Sequence, residues 1–275
     1  MEVLAGDLGT KQLPSLPVQN YSSSMVLHNE SILLSGGVNN FQKCLQFGNG
    51  TWKQHSTFNR KRADHSVVTT QTATFVFGGR LSYKTYEYLP KNGTRWLMGK
   101  TKIPRGFWNG CAIAVKSGEE IWLIGGHDTE NRILCFHVDD HTFQILPFDL
   151  NVGRRGPRCA FIPKTNKIMI TGGYSIDDFV SLFDELNSIE IIDIDNGSVT
   201  MASPMNYKRY DHGMGVVTIN HEDRLAVFGG YARKDRLDSV ELYDSKTEKW
   251  ETTDIKLKQP KSDFGFLSVK LGQVL

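Results

Sequence analysis

The sequence predicts an all-β fold built from copies of one four-stranded antiparallel sheet. Short β-branched and aromatic runs alternate with turn residues, which is typical of strands. An apolar run that ends in Gly-Gly occurs five times, and the first glycines of the pairs lie 42, 47, 47 and 57 residues apart. A single sheet of this kind cannot bury both of its faces, so it needs neighbouring copies of itself.

The glycine pairs end the second strand of every predicted sheet. Glycine lets crowded backbones approach each other and permits the turn that ends an inner strand. No pair continues as Gly-x-x-Gly or opens a helix, so the pairs do not predict a dinucleotide site. We expect a structural role for the ten glycines, which are Gly36, Gly37, Gly78, Gly79, Gly125, Gly126, Gly172, Gly173, Gly229 and Gly230.

A second motif follows the glycine pairs. Twelve-residue windows that begin at Phe41, Thr85, Ser188 and Ser239 end at Trp52, Trp96, Val199 and Trp250. Three of these windows carry a glutamate in the same slot, at Glu87, Glu190 and Glu241. We expect the recurring tryptophans to pack between neighbouring sheets.

This order of motifs resembles the kelch repeat, which has a basic residue and a histidine before the first strand, four apolar residues, Gly-Gly, a tyrosine-bearing strand and then Trp. The resemblance covers nearly the whole chain, and it implies a β-propeller. We therefore expect residues 1–275 to form a single six-bladed kelch-type propeller whose last blade is split between the chain ends. The predicted blades are at about 20–56, 62–101, 105–147, 157–203 and 207–255, with 264–275 plus 1–14 as the sixth.

The split blade follows from the two chain ends. Residues 1–12 fit the twelve-residue window, with Glu2 in the shared glutamate slot, and Lys261–Lys270 reads as an opening strand. Pairing the two ends would remove the open edges of a string of sheets. Because Met1 already falls within this blade, we expect no BTB or BACK portion in this chain.

Charge and cysteine positions give expectations about partners and location. A net charge of +2 from 32 basic and 30 acidic side chains predicts neither nucleic-acid nor membrane binding. The four cysteines (Cys44, Cys111, Cys135 and Cys159) fall inside predicted strands, so we expect buried free thiols and a cytoplasmic protein. Five Asn-x-Ser/Thr triplets leave a secreted form open.

Metal and enzyme signatures are weak. His137 and His141 are four apart but lie in a strand and turn, where that spacing does not place them on one face, so we expect no metal and no cofactor. The alternative to a binding protein is a kelch-fold enzyme, an oxidase or epimerase acting on a sugar or small molecule. The Cys-Tyr signature of galactose-oxidase-like enzymes is not recognisable here, and the Glu-x-x-x-Asp-x-x-x-His run of iron-dependent specifier proteins does not occur.

The longest interval between glycine pairs contains an insertion within residues 174–187. The spacing of its apolar residues suits one helical turn across the rim. Two readings remain open: a loop that packs its own apolar residues, or an element that binds a partner.

Loops after the glycine pairs and turns before the first strands should emerge at one end of the propeller. Arginine and aromatic residues dominate these positions, which is the composition of protein-interface hot spots. By resemblance to kelch-like ubiquitin-ligase adaptors, such positions would bind a peptide or protein, and the arginines favour an acidic one. An arginine before a first strand could instead pair within the propeller. The predicted partner-binding residues are Arg62, Arg80, Trp108, His127, Arg158, Tyr174, Arg209, Tyr231 and Arg233.

The sequence therefore predicts a non-enzymatic interaction module. The resemblance implies either substrate selection for a cullin-type ubiquitin ligase or binding to actin and other cytoskeletal proteins.

Overall fold

The structure is a computed structural model that describes residues 2–4, 10–12, 14–177, 182–219 and 221–267. It is an all-β propeller arrangement, with one short 3-10 turn at Lys116–Gly118. Five four-stranded antiparallel sheets follow one another along the chain, and we call them blades 1 to 5. No helix within the described ranges is long and apolar enough to cross a membrane.

The strands have the following bounds. A hairpin of β1 (Glu2–Leu4) and β2 (Thr10–Gln12) comes first. Blade 1 contains β3 (Ser24–His28), β4 (Ser31–Ser35), β5 (Lys43–Gly48) and β6 (Thr51–Thr57). Blade 2 contains β7 (Ser66–Thr69), β8 (Ala73–Phe77), β9 (Tyr86–Pro90) and β10 (Leu97–Met98). Blade 3 contains β11 (Cys111–Val115), β12 (Glu120–Ile124), β13 (Ile133–His137) and β14 (Thr142–Ile145).

Blades 4 and 5 each carry an extra hairpin after the glycine pair. Blade 4 contains β15 (Arg158–Phe161), β16 (Lys167–Thr171), β19 (Ile189–Asp193) and β20 (Val199–Ala202), with the hairpin β17 (Tyr174–Asp177) and β18 (Leu182–Glu185). Blade 5 contains β21 (Gly213–Ile219), β22 (Glu222–Phe228), β25 (Ser239–Asp244) and β26 (Lys249–Lys256), with the hairpin β23 (Tyr231–Ala232) and β24 (Asp235–Arg236).

The hydrophobic core lies between blades rather than within them. One cluster joins blades 2 and 3 through Phe75, Phe77 and Phe136, and another joins blades 3 and 4 through Trp122 and Ile168. Blades 2, 3 and 4 are therefore covered on both faces by a neighbouring blade, which is why second strands such as β8 and β12 are largely apolar. The repeated tryptophans follow this pattern, since Trp96 is 3% exposed and belongs to the cluster of blades 1 and 2.

The glycine pairs connect each blade to the next. In each pair, the backbone N–H of the second glycine donates to the carbonyl of a residue that leads into the following segment. For example, Gly79 bonds to Phe107 at 3.0 Å, and Gly173 bonds to Arg209 at 2.9 Å. The first glycine of each pair touches the same carbonyl, so a Cβ on Gly78 would lie 1.8 Å from the Phe107 oxygen. The motif therefore allows blades to approach closely at the centre.

A closed ring of backbone hydrogen bonds surrounds the central axis. One residue from each of six sectors donates its N–H to the carbonyl of the preceding member, with N···O distances from 2.7 to 3.2 Å. The members of this axial ring are Ser22, Asp64, Asn109, Gly156, Asp211 and Asp263. The segment around Asp263 thus bridges blade 5 and blade 1, because it accepts from Ser22 and donates to Asp211.

The predicted sixth blade is not confirmed, since five four-stranded sheets are described. Residues 1, 5–9, 13 and 268–275 of that prediction lie outside the described residues. What is described of it is the β1–β2 hairpin and the segment up to Leu267, which packs against Ile32 and Phe47 of blade 1. Lys261 takes the same place as Phe107 and Arg209, because it accepts a 2.7 Å hydrogen bond from Gly230.

Two predictions about local structure are wrong. The described part of the insertion after Gly173 forms the β17–β18 hairpin and not a helical turn, with Ile176 opposite Phe183; residues 178–181, on which part of the predicted turn falls, lie outside the described residues. Cys111 and Cys159 are not free thiols but form a disulfide between the inner strands of blades 3 and 4. Cys44 and Cys135 are free and buried, as expected. A reducing compartment was expected because all four cysteines were predicted to be free, and two of them are bonded to each other.

Candidate functional site

One end of the propeller carries a ring of paired loop residues, which we call the loop face. In each blade the residue after the glycine pair forms a backbone hydrogen bond with the residue three positions before the first strand. The pairing of the sheet thus continues to the surface. The five pairs are Tyr21 with Val38, Ala63 with Arg80, Trp108 with His127, Arg155 with Tyr174, and Tyr210 with Tyr231. Aromatic and arginine residues occupy seven of these ten positions.

Tyr174, Phe183, Tyr210 and Tyr231 form an aromatic cluster on the loop face. The rings of Tyr174 and Phe183 stack with centroids 4.6 Å apart, and Tyr210 contacts Tyr174 at 5.1 Å and Tyr231 at 5.4 Å. Phe183 is 45% exposed, although it is a large apolar side chain, and it lies on the β17–β18 hairpin. This is the only one of the four that extends well into solvent, because the tyrosines are partly buried.

Arg80, Trp108 and His127 form a second cluster on the same face. The indole of Trp108 stacks on the His127 imidazole at 4.5 Å, and the Arg80 guanidinium carbon lies 5.2 Å from the Trp108 ring centre. The Arg80 side chain is 57% exposed and pairs with the buried Asp64 carboxylate. Three residues from two blades thus make a flat, partly cationic platform.

Arg62 and Arg209 do not reach the loop face, so their prediction as partner-binding residues is wrong. Both side chains are fully buried in ion pairs, Arg62 with Glu87 at 3.0 Å and Arg209 with Glu241 at 2.7 Å. Their guanidinium groups also donate to the carbonyls of the first glycines, Gly78 and Gly229. A buried charge needs such a partner, and no surface remains for a ligand.

Blade 4 contains the same ion pair, which the sequence analysis did not detect. Arg154 donates to Glu190 at 2.6 Å, so the counterpart of Arg209 is Arg154 and not Arg158. A signal was present in the sequence, because an asparagine stands three residues before each of the three arginines. The three asparagines donate both backbone and side-chain N–H groups to the paired glutamates, and they are Asn59, Asn151 and Asn206.

Arg158 and Arg233 lie at different depths. Arg158 Nη1 donates to the Pro157 carbonyl, and its guanidinium carbon sits 5.7 Å from the Phe266 ring centre, below the loop face. Arg233 is exposed at the tip of the β23–β24 hairpin, where its backbone N–H donates to the Glu185 carboxylate at 2.8 Å. Neither guanidinium is within 4.0 Å of a carboxylate oxygen among the described residues.

Carboxyl groups of the axial ring lie beneath the loop face. Burial, together with the neighbouring carboxylates of Asp263 and Asp64, raises the pKa of Asp211 to about 7, although the Arg158 charge opposes this. The pKa of Asp64 is raised as well, first by burial and then by Asp263, while Ser22 and Arg80 work against it. Asp211 is therefore close to its protonation midpoint at neutral pH.

Comparison with known proteins gives a consistent picture. The family model described as "Kelch motif" matches residues 209–253, which cover most of blade 5. A RING finger domain and kelch repeat-containing protein of Dictyostelium discoideum is 24% identical over 215 residues, covering 77% of this chain and 20% of the relative. A second kelch repeat-containing protein of that organism is 27% identical over 158 residues, covering 55% of this chain and 22% of the relative.

The chain therefore spans about a fifth of the length of the curated relatives that it matches. The match to the motif model falls on the blade that shows every feature of the repeat, from Arg209 and His212 through Gly229-Gly230 to Trp250. The five blades and the glycine links between them agree with these comparisons: blade 5 matches the kelch motif, and the chain is similar to kelch repeat-containing proteins.

Proposed function

We propose that this chain binds a protein or peptide partner on its loop face, with the aromatic cluster as the centre of the interface. The observation that carries the proposal is Phe183, a large apolar side chain that is 45% exposed on the extra hairpin of blade 4. Kelch repeats are generally protein-interaction modules, which supports the same conclusion. Exposed phenylalanine beside tyrosines and an arginine is the composition of hot spots.

The partner would meet a surface of limited net positive charge. Arg80 is paired with Asp64, and Arg155 donates to Glu130 at 2.5 Å. The exposed Arg233 lacks such a carboxylate among the described ion pairs, so the acidic or phosphorylated segment predicted from the sequence would bind there. Bidentate contact of a guanidinium with a carboxylate or phosphate would orient the partner, while the aromatic cluster would supply most of the affinity.

Three finer points belong to the same proposal. A sixth blade from residues 264–275 and 1–14 would complete the ring, and the six-membered axial ring supports it. Substrate selection for a cullin-type ubiquitin ligase is the first role we propose, and cytoskeletal binding is the second. A cytoplasmic location accompanies both.

The enzyme alternative, acting on a sugar or small molecule, has less support. Both relatives are named for their repeats, and neither name states a reaction. The loop face offers aromatic rings and paired arginines in place of a set of convergent catalytic groups.

Affinity capture with two loop-face variants tests the proposal. Phe183→Ser removes the exposed ring, and Arg233→Glu reverses the charge at the hairpin tip. The control is Met201→Ser on the outer strand β20, because Met201 is 52% exposed and lies away from the loop face. We expect both loop-face variants to lose a discrete partner that the control retains, with unchanged melting temperatures.

A partner set that survives Phe183→Ser would contradict the choice of face. Tighter capture by Arg233→Glu would show that the partner is basic and would overturn the acidic-segment proposal while leaving the face in place.

A further inference from the structure

Three metal-ligating side chains converge in blade 3, at the end opposite the loop face. Glu120 opens β12, whereas Cys135 and His137 lie on β13. Glu120 and His137 are direct partners in the antiparallel register, and Cys135 is opposite Trp122. Residues two apart on a strand share a face, so all three side chains project from the same side of the sheet.

The ligand atoms are close enough to share one ion. The Cys135 Sγ and His137 Nε2 atoms are 3.9 Å apart, and one atom from each of the three residues lies within 4.8 Å of the others. In a tetrahedral zinc complex, bonds of about 2.3 Å to sulfur and 2.0–2.1 Å to nitrogen separate these two atoms by about 3.6 Å. The sulfur and nitrogen are therefore near their final spacing, and mainly the carboxylate must move.

Accessibility is graded across the cluster. Cys135 is 1% exposed, the Glu120 side chain is 13% exposed, and the His137 side chain is 37% exposed. Sulfur thus lies on the inside against apolar residues, while the imidazole faces solvent. An ion could enter from the solvent side and retain one water molecule.

Two neighbours already hold the Glu120 carboxylate. The Trp122 indole donates to Oε2 at 3.0 Å and fixes the orientation of the group. The ammonium of Lys116, on the 3-10 turn, donates to Oε1 at 2.8 Å and is half-exposed. The tryptophan resembles the outer hydrogen bonds that orient metal ligands, and the lysine occupies the position where a cation would bind.

We propose that Glu120, Cys135 and His137 form a site for one borderline-soft divalent cation, Zn²⁺ in particular, with water as the fourth ligand and Lys116 displaced on binding. The chemistry of the donors selects the class of ion. Thiolate and imidazole favour zinc and its cobalt substitute, whereas magnesium and calcium prefer all-oxygen sites.

Sequence spacing did not reveal this cluster. The pair considered from the sequence was His137 with His141, but the structure separates them, since His141 Nδ1 is 3.1 Å from the Tyr86 hydroxyl and its ring packs on Tyr88. The relevant signal is Cys-x-His on one strand with a glutamate directly across on the next. That signal requires the β12–β13 register, which a single sequence does not state.

Cobalt titration of the full chain, with any affinity tag removed, tests the proposal. Co²⁺ bound to a thiolate gives a sulfur-to-cobalt absorption band, and a tetrahedral site gives strong visible bands. We expect one equivalent of Co²⁺ to bind with both signatures, and Zn²⁺ to displace it. Binding of cobalt without the sulfur band would overturn the proposal.

Matched variants assign the ligands. We expect Cys135→Ser and His137→Gln each to weaken binding at least tenfold, because even outer-shell changes cost about 10–100-fold. Cys44→Ser is the control, since Cys44 is the other buried free thiol and it lies in blade 1. Lys116→Met should tighten binding by about twofold to fivefold, since it removes the competing cation.

A purely structural role for the cluster would give no such tightening. A sulfur band that persists in Cys135→Ser, or that disappears in Cys44→Ser, would contradict the assignment. Melting curves without metal establish that each variant is folded; if Cys135→Ser does not fold, the partly exposed His137→Gln and Lys116→Met decide the question.

Discussion

The Arg209–Glu241 pair gives the most quantitative prediction about stability. The Glu241 carboxylate accepts hydrogen bonds from the Arg209 guanidinium at 2.7 Å, from Asn206 through both its backbone and side-chain nitrogens at 2.6 and 2.9 Å, and from the Tyr207 backbone at 3.2 Å. Both charged side chains are fully buried. Replacing Glu241 with alanine would leave the buried Arg209 guanidinium without its anion and would remove the acceptor of the Asn206 and Tyr207 N–H groups.

Breaking a buried ion pair by removing one partner costs about 3–5 kcal/mol. The N–H groups of Asn206 and Tyr207 add little to this cost, because both residues are exposed and can donate to water instead. For a domain of this size we expect the melting temperature to fall by on the order of 10 °C. Denaturant unfolding monitored by tryptophan fluorescence measures the loss directly, because Trp250 packs on Tyr243 in the same blade.

Glu251→Ala is the matched control. Glu251 lies on β26 of the same blade and pairs with Arg224 at 2.9 Å, but its side chain is 55% exposed. Removing an exposed pair costs about 0–1 kcal/mol. The double variant Arg209→Met/Glu241→Gln should recover part of the loss, since it buries no net charge. If Glu241→Ala were no more costly than Glu251→Ala, the pair would not stabilise the blade and the reasoning would be refuted.

Two further predictions concern the disulfide and the axial ring. The disulfide Cys111–Cys159 closes a loop with a sequence separation of 48, so its reduction should lower the free energy of unfolding by about 4 kcal/mol. Reductant should lower the melting temperature of the wild type but not that of Cys159→Ser. Equal responses of the two proteins would contradict the bond. Because the pKa of Asp211 is raised in the folded protein, its carboxyl ionises at lower pH in the unfolded chain than in the folded one. The free-energy penalty that Asp211 imposes on folding therefore grows from about pH 4 to about pH 7 and then levels off. Asp211→Asn should therefore stabilise the protein more at pH 8 than at pH 4.5, and a pH-independent difference in melting temperature would reject this.

Sequence periodicity predicted the fold well because propeller blades are local units. Each glycine pair ends a strand whose partners lie within about 50 residues, so the turns and apolar runs state the sheet order directly. The second glycine of each pair also links its blade to the segment that follows, as Gly173 does by donating its N–H to the Arg209 carbonyl. The sixth sector lacks a glycine pair, which is why its second strand could not be placed from sequence.

The side-chain roles were harder to predict because an arginine near the loop face can turn inward or outward. Arg62 and Arg209 turn inward to buried glutamates, whereas Arg80 turns outward over Trp108. The glutamates in the shared slot indicate which arginines are buried, because a buried cation needs an anion beside it. Cys111 and Cys159 were missed for a similar reason, because pairing across two blades depends on the lateral spacing of inner strands.

The central claim is that the loop face is the binding surface. Site-specific incorporation of a photo-crosslinking amino acid at Phe183, with Met201 on the outer edge as the matched position, tests it most directly, because both side chains are similarly exposed at 45% and 52%. We predict covalent adducts to a discrete protein from position 183 and none above background from position 201. Equal labelling from both positions, or adducts from position 201 alone, would contradict the account.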